Sequence, residues 1–345
     1  MSEKKLMKGN EAIAEAAIRG GCRYFFGYPI TPQNEIPEYM SWRIREVGGD
    51  FVQAESEVAA INMVYGAAGA GARAMTSSSS PGISLKQEGI SYIACAELPC
   101  VIVNMVRSGP GLGGILASQC DYFQTVKGGG HGDYKLLTYA PSTVQEAVDI
   151  LYYAFDKADE YRTPVCILGD GLLGQIMEPV TFPEMKEMPD PSTKSWAVTG
   201  THHGKDKTLA SSIYIDPNLG EAQNNHLVEK FERIAQKETQ CEEFMCDDAE
   251  IILTGYGSVG RIIKSAIYML REKGIKAGLV RPITLMPFPT KVYEKYAAKA
   301  SVKRFLTVEL SMGQFVEDVK LSVMGKKPVD LFTCLLYTSP SPRDS

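Results

Sequence analysis

Residues 73–107, "RAMTSSSSPGISLKQEGISYIACAELPCVIVNMVR", decide how the chain is built. "RAMTSSSS" reads as a strand running into a polar loop, "ISLKQEGISYIACAE" as a helix, and "PCVIVNMVR" as a buried strand. The same rhythm extends outward. "KGNEAIAEAAIRGG" reads as a helix with a cap at Asn10 and a Gly-Gly stop, followed by the strand "CRYFFGYP". "SEVAAINMVYGAAGAG" is a further helix, and the amphipathic "VQEAVDILYYAFDKADEYR" leads into the strand "PVCILGDG". Such alternation predicts an α/β fold with open, doubly wound, largely parallel sheets covered by helices on both faces.

At 345 residues, with 44% hydrophobic and 22% charged residues, the chain has room for about two domains. The first is expected over 1–180. From about 178 to 249 the pattern loosens into "EPVTFPEMKEMPDPSTKSW", a polar stretch "THHGKDK" and an amphipathic helix near "HLVEKFERIAQ", and 181–246 reads as linker and irregular insertion. A second α/β unit over 247–333 follows, with "EIILTGYGSVGRIIKSAIYMLREKGIKAGLVRPITLMPFP" and then "KRFLTVELSMGQFVEDVKLSV".

Composition also excludes classes of function. The net charge of -5, without a long basic block, lacks the electrostatic footprint of a nucleic-acid binder. No window reaches the ~20 apolar residues of a membrane span and the N-terminus lacks a signal-peptide core, so the expectation is a cytoplasmic protein. The cysteines are scattered through apolar stretches and read as small core hydrophobes. Nothing matches a zinc or ferredoxin spacing, so no metal and no iron–sulfur cluster is expected on this chain. Cys241 and Cys246 are the nearest candidate pair, and read as reduced surface thiols.

The tail Cys334–Ser345, "CLLYTSPSPRDS", departs abruptly in composition and resembles the direct translation of a transposon-end sequencing adapter. It is left out of the fold, and the native C-terminus is expected to be missing. Two motifs invite other readings. Gly255-Tyr-Gly257-Ser-Val-Gly260 fits GxGxxG between strand and helix, where a dinucleotide would bind. The second strand, however, ends in Arg281-Pro282 rather than an acid, and a close strand-to-helix turn without nucleotide is favoured. Gly169-Asp170-Gly171 opens like a thiamine diphosphate–metal motif but lacks its downstream Asn, and reads as a turn at a strand end.

"GYPITP" (27–32), "ESE" with its helix, "TSSSSPG" (76–82), "RSGPGLGG" (107–114), "GGGHGDY" (128–134), "RPITLMPFP" and "VELSMGQFVEDV" together resemble the alpha subunit of 2-oxoacid:ferredoxin oxidoreductases. The resemblance implies a pyrimidine-binding domain of the thiamine-diphosphate-enzyme type followed by a transketolase C-terminal-like domain. It also implies that thiamine diphosphate is shared between chains. The alpha chain holds the aminopyrimidine end, a beta chain holds Mg2+ and the diphosphate, and partner chains carry the iron–sulfur clusters. Beta, gamma and ferredoxin-like delta subunits are the implied partners, with coenzyme A, a 2-oxoacid and ferredoxin as reactants, in an anaerobic metabolism.

By position, the resemblance gives Glu57 the hydrogen bond to a pyrimidine ring nitrogen, which lets the cofactor's own amino group take the thiazolium proton. An apolar helix mouth suits a carboxyl that shares a proton with the ring. The plain alternative is an acid stabilised by a helix dipole, worth ~0.3 to 1 kcal/mol. Thr31, in a loop stiffened by Pro29 and Pro32, becomes a contact to the substrate, and Arg107 a planar clamp for its carboxylate. Without the resemblance these are a turn residue and a solvated strand-end arginine. Tyr28, Pro29 and Ser79 join Glu57 as cofactor contacts, with the serine run letting backbone come close, and His131 either faces the cleft or is held locally in its loop. "RSGPGLGGILASQCDYFQ" and "KGGGHGDY" resemble the branched-chain, 2-oxoisovalerate type; 2-oxoglutarate relatives read "GGPSTGLPT" and "GRHGE". Cys120 stands where the pattern has Gly, which puts local backbone freedom in question. The alternatives are the 2-oxoglutarate or pyruvate enzyme, a non-catalytic assembly subunit, and a nucleotide-dependent dehydrogenase built on GYGSVG.

Overall fold

The computed structural model describes residues 4–201 and 207–333; the adapter-like tail lies outside them. Among the described residues the strands form three sheets. The largest contains β2 (Tyr24–Gly27), β3 (Asp50–Gln53), β4 (Ala74–Ser78), β5 (Val101–Val106), β6 (Leu137–Tyr139), β7 (Val165–Asp170) and β12 (Thr284–Met286), in the order β12-β6-β7-β5-β4-β2-β3. All its pairings are parallel except that of β12 with β6.

Strand β5 shows why its sequence is apolar apart from Asn104. Val101, Val103 and Met105 enter one core, beneath α1 (Gly9–Arg19), α2 (Glu35–Glu46) and α6 (Val144–Tyr161). Ile102 points the other way, into the core under α3 (Glu57–Gly69) and α4 (Ser80–Cys95). A central parallel strand buries both faces, and each such side chain contributes about 1.5–3 kcal/mol.

The second sheet has the order β14-β13-β10-β11-β9, from β9 (Cys241–Phe244), β10 (Ile251–Thr254), β11 (Ala277–Pro282), β13 (Arg304–Glu309) and β14 (Val329–Thr333). Only β9 is antiparallel. Its helices are α9 (Gly257–Glu272), α10 (Thr290–Ala298) and α11 (Phe315–Val323). The short α5 (Tyr122–Val126) and α7 (Gly171–Gln175) follow strands β5 and β7, the long α8 (Pro217–Glu238) runs through the insertion, and β1 (Lys5–Lys8) pairs with β8 (Met177–Val180).

Local details differ from the sequence reading. Asn10 is not a cap: α1 begins at Gly9 with Lys8 as its N-cap, and the Asn10 amide instead donates to Pro32 O and Glu35 Oε2, both at 2.8 Å. A buried amide finds stronger partners in the loop after β2 than at its own helix end. Strand β9 falls inside the segment read as insertion, and β12 leaves the second unit to extend the first sheet. Cys246 is buried, its thiol donating to Leu279 O at 3.1 Å, so the Cys241/Cys246 pair is not a surface pair; both thiols are free.

Candidate active site

Four adjacent parallel strands, in the order β5-β4-β2-β3, end on the same side of the sheet. The loops that leave their C-terminal ends carry Arg107, Ser79, the segment Tyr28–Pro32 and Glu57. In open α/β sheets that rim is where ligands bind.

Glu57 is the first residue of α3. Ser56 caps the helix, its hydroxyl accepting from Ala59 N at 3.1 Å, and this fixes the turn that turns the Glu57 carboxylate inward. The side chain is 7% exposed. Against it lies Gly82 of α4. A Cβ there would sit 2.1 Å from Ser78 Oγ and 2.8 Å from Glu57 Oε1, so only glycine lets α4 approach. Ser78 Oγ and Ser79 Oγ are buried with no hydrogen-bond partner. Buried hydroxyls are normally satisfied, and here a buried carboxylate and two unpartnered hydroxyls gather around the start of α4. That set of donors and acceptors is of the kind a polar ring such as an aminopyrimidine can use.

Arg107 and Thr31 meet. The guanidinium donates from Nη1 to Thr31 O at 3.1 Å and from Nη2 to Leu112 O at 2.8 Å, while its buried Nε has no partner. Backbone carbonyls hold the fork and leave donor capacity for an anion. The Thr31 side chain is exposed, with Asn34 Nδ2 at 3.5 Å from Oγ1. Tyr28 is half-buried and Pro29 exposed on the same loop. The loop is anchored by Gln33, fully buried, whose Oε1 accepts from Ser77 Oγ at 2.5 Å and whose Nε2 donates to Tyr28 O at 3.4 Å.

Beside Arg107 opens a cavity of about 330 Å³ lined by Ser80, Pro81, Gly109, Cys120, Met312 and Gln314, so the second unit closes its far side. Ser80 Oγ accepts from Arg107 N at 3.1 Å, and Asn104 braces the same turn by accepting from Ser80 N at 3.2 Å while donating to the buried Asp121 at 2.9 Å. Cys120 donates its thiol to Arg107 O at 3.2 Å, and burial raises its pKa. It is not among the non-glycine residues of positive φ, so the cysteine needs no glycine-like freedom. The His131 side chain is exposed, its carbonyl held by Ser91 Oγ at 2.7 Å. Ser91 is nine residues beyond Gly82 on α4, about 13 Å along the axis, which puts the His131 backbone away from Glu57.

The two decoy motifs face one another. Asp170 caps α7, accepting from Leu172 N and Leu173 N at 3.0 Å, and also accepts from the Ser258 hydroxyl; burial raises its pKa. Arg281 donates to Glu146 Oε1 at 2.8 Å and Glu242 Oε2 at 2.6 Å, and a Cβ on Gly260 would fall 2.3 Å from its Cδ. The GYGSVG turn is therefore filled by protein groups. Residues the sequence reading passed over are Lys86, Gln33, Asn104 and Asp121. For Lys86 a trace existed: Gly82, Lys86, Ile90 and Ile93 are all buried at helical spacing, a lysine inside an apolar stripe.

The family described as pyruvate flavodoxin/ferredoxin oxidoreductase, thiamine diphosphate-binding, matches residues 15–242, and that described as pyruvate:ferredoxin oxidoreductase core domain II matches 249–336. Over 327 residues the chain is 50% identical to the ketoisovalerate oxidoreductase subunit VorB of Methanothermobacter thermautotrophicus, covering 95% of this chain and 92% of that one. It is 35% identical to the 2-oxoglutarate synthase subunit KorA of the same organism, with 96% and 94% covered. Among solved structures, the 2-oxoglutarate:ferredoxin oxidoreductase from Magnetococcus marinus, with 2-oxoglutarate, coenzyme A and succinyl-CoA bound, superposes at a TM-score of 0.85 and 25% identity. The match covers 96% of this chain and 63% of that longer one. A split-gene transketolase shares the fold at a TM-score of 0.57 and 12% identity.

Proposed function

The chain belongs to the 2-oxoacid:ferredoxin oxidoreductase family as an alpha-type subunit, and on that premise we propose that it acts in the oxidative decarboxylation of 2-oxoisovalerate and related branched-chain 2-oxoacids. Products are the acyl-CoA and CO2, with electrons passing to ferredoxin. The observation that carries the reading is the buried Glu57 carboxylate packed against Gly82, with the unpartnered hydroxyls of Ser78 and Ser79 at the same strand ends and an arginine with donor capacity to spare on the next strand. The higher identity to the ketoisovalerate relative, 50% against 35% for the 2-oxoglutarate one, supports the branched-chain substrate.

When bound, thiamine diphosphate supplies the nucleophilic carbon and the electron sink that decarboxylation of a 2-oxoacid requires. This chain's residues do the rest of the positioning. Glu57 holds a proton at the ring nitrogen of the aminopyrimidine, from a buried position at the start of α3. Ser78 and Ser79 offer hydroxyls to the same ring, and Tyr28 and Pro29 bound it from the loop after β2. Arg107 binds the carboxylate of the substrate, and Thr31, tied to Arg107 through its carbonyl, orients the reacting carbonyl group. Mg2+, the diphosphate and the iron–sulfur clusters belong in this reading to beta, gamma and ferredoxin-like delta subunits. Residues 1–180 form the pyrimidine-binding domain, 181–246 the linker and insertion, and 247–333 the second domain. No helix among the described residues is long and apolar enough to cross a membrane, in keeping with work in the cytoplasm.

The test is coenzyme-A-dependent reduction of a viologen dye by the complex assembled with its partner chains, given 2-oxoisovalerate, 2-oxoglutarate and pyruvate in parallel. Preference for 2-oxoisovalerate is expected. Preference for another 2-oxoacid would overturn the substrate, and an assembled, thiamine-loaded complex inert with all three would overturn the reading.

A further inference from the structure

Lys86 is a fully buried lysine in the middle of α4, four residues after Gly82, the glycine that abuts Glu57. Its ammonium donates to Thr76 Oγ1 at 2.7 Å and to Ser77 O at 3.1 Å, both on β4. Ser77 in turn donates to Gln33, which holds Tyr28 O, so the lysine lies at the root of a hydrogen-bonded chain that reaches the loop carrying Thr31. Glycines on α4 set its depth. Gly82 abuts Glu57, and a Cβ on Gly89 would fall 2.6 Å from Ile61 Cγ2, so α4 rides close on α3 on both sides of Lys86. Residues 57 and 61 of α3 therefore face 82 and 89 of α4, with Lys86 between them.

The charges around Lys86 are few. Thr76, Ser77 and Gln33 are neutral, and Glu88 on its own helix is exposed and bonded to Tyr92. The carboxylate that acts on it is Glu57. Burial lowers the lysine pKa to about 7, and Glu57 opposes that fall. An ammonium without water around it persists at neutral pH only while a counter-charge is near.

We propose that Lys86 is the internal counter-charge of Glu57, a positioning residue that gives up its proton when the carboxylate takes one to share with the aminopyrimidine ring. The inference rests on the reading of Glu57 as the ring's partner. The proton balance is simple. Before binding, at a pH below about 7, Lys86 holds its proton as the ammonium. After binding, the Glu57 carboxyl and the ring nitrogen hold one proton between them. The charge that kept Lys86 protonated is then neutralised, and Lys86 is left as the amine. One proton has moved from the lysine to the carboxyl–ring pair, and none is exchanged with solvent. Above about pH 7 Lys86 is already an amine, and the shared proton comes from solvent.

Calorimetric titration of the assembled, cofactor-free complex with thiamine diphosphate and Mg2+, in buffers of different ionisation enthalpy, counts those protons directly. For the wild-type complex the expected uptake rises from near zero at pH 6 to about one proton per site at pH 8. Lys86→Met is expected to take up about one proton at both pH values, and its affinity is expected to fall about a hundredfold between them, where the wild type loses about tenfold. Lys86→Gln, which keeps a donor for Thr76 and Ser77, should follow Lys86→Met; a lysine that served only the hydrogen bonds would leave the wild-type profile intact in the glutamine variant. Equal proton counts in wild type and both variants would overturn the proposal. So would a wild-type count that does not change with pH, a result that needs no variant to fold. A wild-type complex that binds no thiamine diphosphate would instead overturn the cofactor reading beneath it.

Discussion

Two strand–turn–helix junctions in this chain look alike in outline and differ in what fills them. At the β4–α4 junction a glycine brings helix backbone against Glu57, and the hydroxyls of Ser78 and Ser79 are buried without partners. At the β10–α9 junction the glycines of GYGSVG do the same service for packing, but the space is filled. Arg281 lies under Gly260 and is held by Glu146 and Glu242, and Ser258 closes on Asp170. The better-known motif is the saturated one. A glycine-rich turn marks where backbone comes close to something, and the satisfaction of the surrounding polar atoms tells whether that something is protein or ligand.

The comparison can be broken at either junction. Arg281→Met leaves Glu146 and Glu242 without their shared cation in a half-buried site and is expected to destabilise the fold by about 3 kcal/mol, read by denaturant titration. The wild-type chain should bind no NADP; binding in the micromolar range would show that the second junction is open after all. Gly82→Ala pushes a methyl group into Ser78 and Glu57 and is expected to weaken thiamine diphosphate binding by about 2 kcal/mol, roughly thirtyfold, and to lower the stability of the fold by about 1–3 kcal/mol. Arg107→Lys keeps the charge and loses the fork. It should lower kcat/KM for the 2-oxoacid about tenfold, with thiamine diphosphate affinity unchanged. Thr31→Val removes one hydroxyl and is expected to cost about 1 kcal/mol, a few-fold in kcat/KM.

Much of this was visible in the sequence, for identifiable reasons. Strand β5 and helix α6 announced themselves by a run of apolar residues broken only by Asn104 and by a strong amphipathic repeat, because burial leaves a direct mark on composition. Glu57 stands out through the family resemblance, as the acid directly after Ser56; the residues alone read equally as an acid at a helix N-terminus, and Ser56 does cap α3. Other features depend on contacts between residues far apart in the chain. Asn10 looks like a cap until the loop at Pro32, 22 residues away, offers it a carbonyl. Strand β12 has only three residues, and nothing local says that it will leave its own unit to pair with β6. Lys86 was read as one helical residue among others, since lysines are mostly solvated and its burial follows from how closely α4 approaches α3.

The central claim is that Glu57 is the acid on which the cofactor's ring depends. Its most direct test is the Glu57→Gln complex, assembled with its partner chains and assayed for coenzyme-A-dependent dye reduction with 2-oxoisovalerate at saturating thiamine diphosphate. Glutamine keeps the shape and cannot share a proton with the ring, so a fall in rate of about 100-fold or more is expected, with assembly intact. A Glu57→Gln complex that reduces dye at the wild-type rate would contradict the claim and leave this subunit an architectural partner of a site built elsewhere.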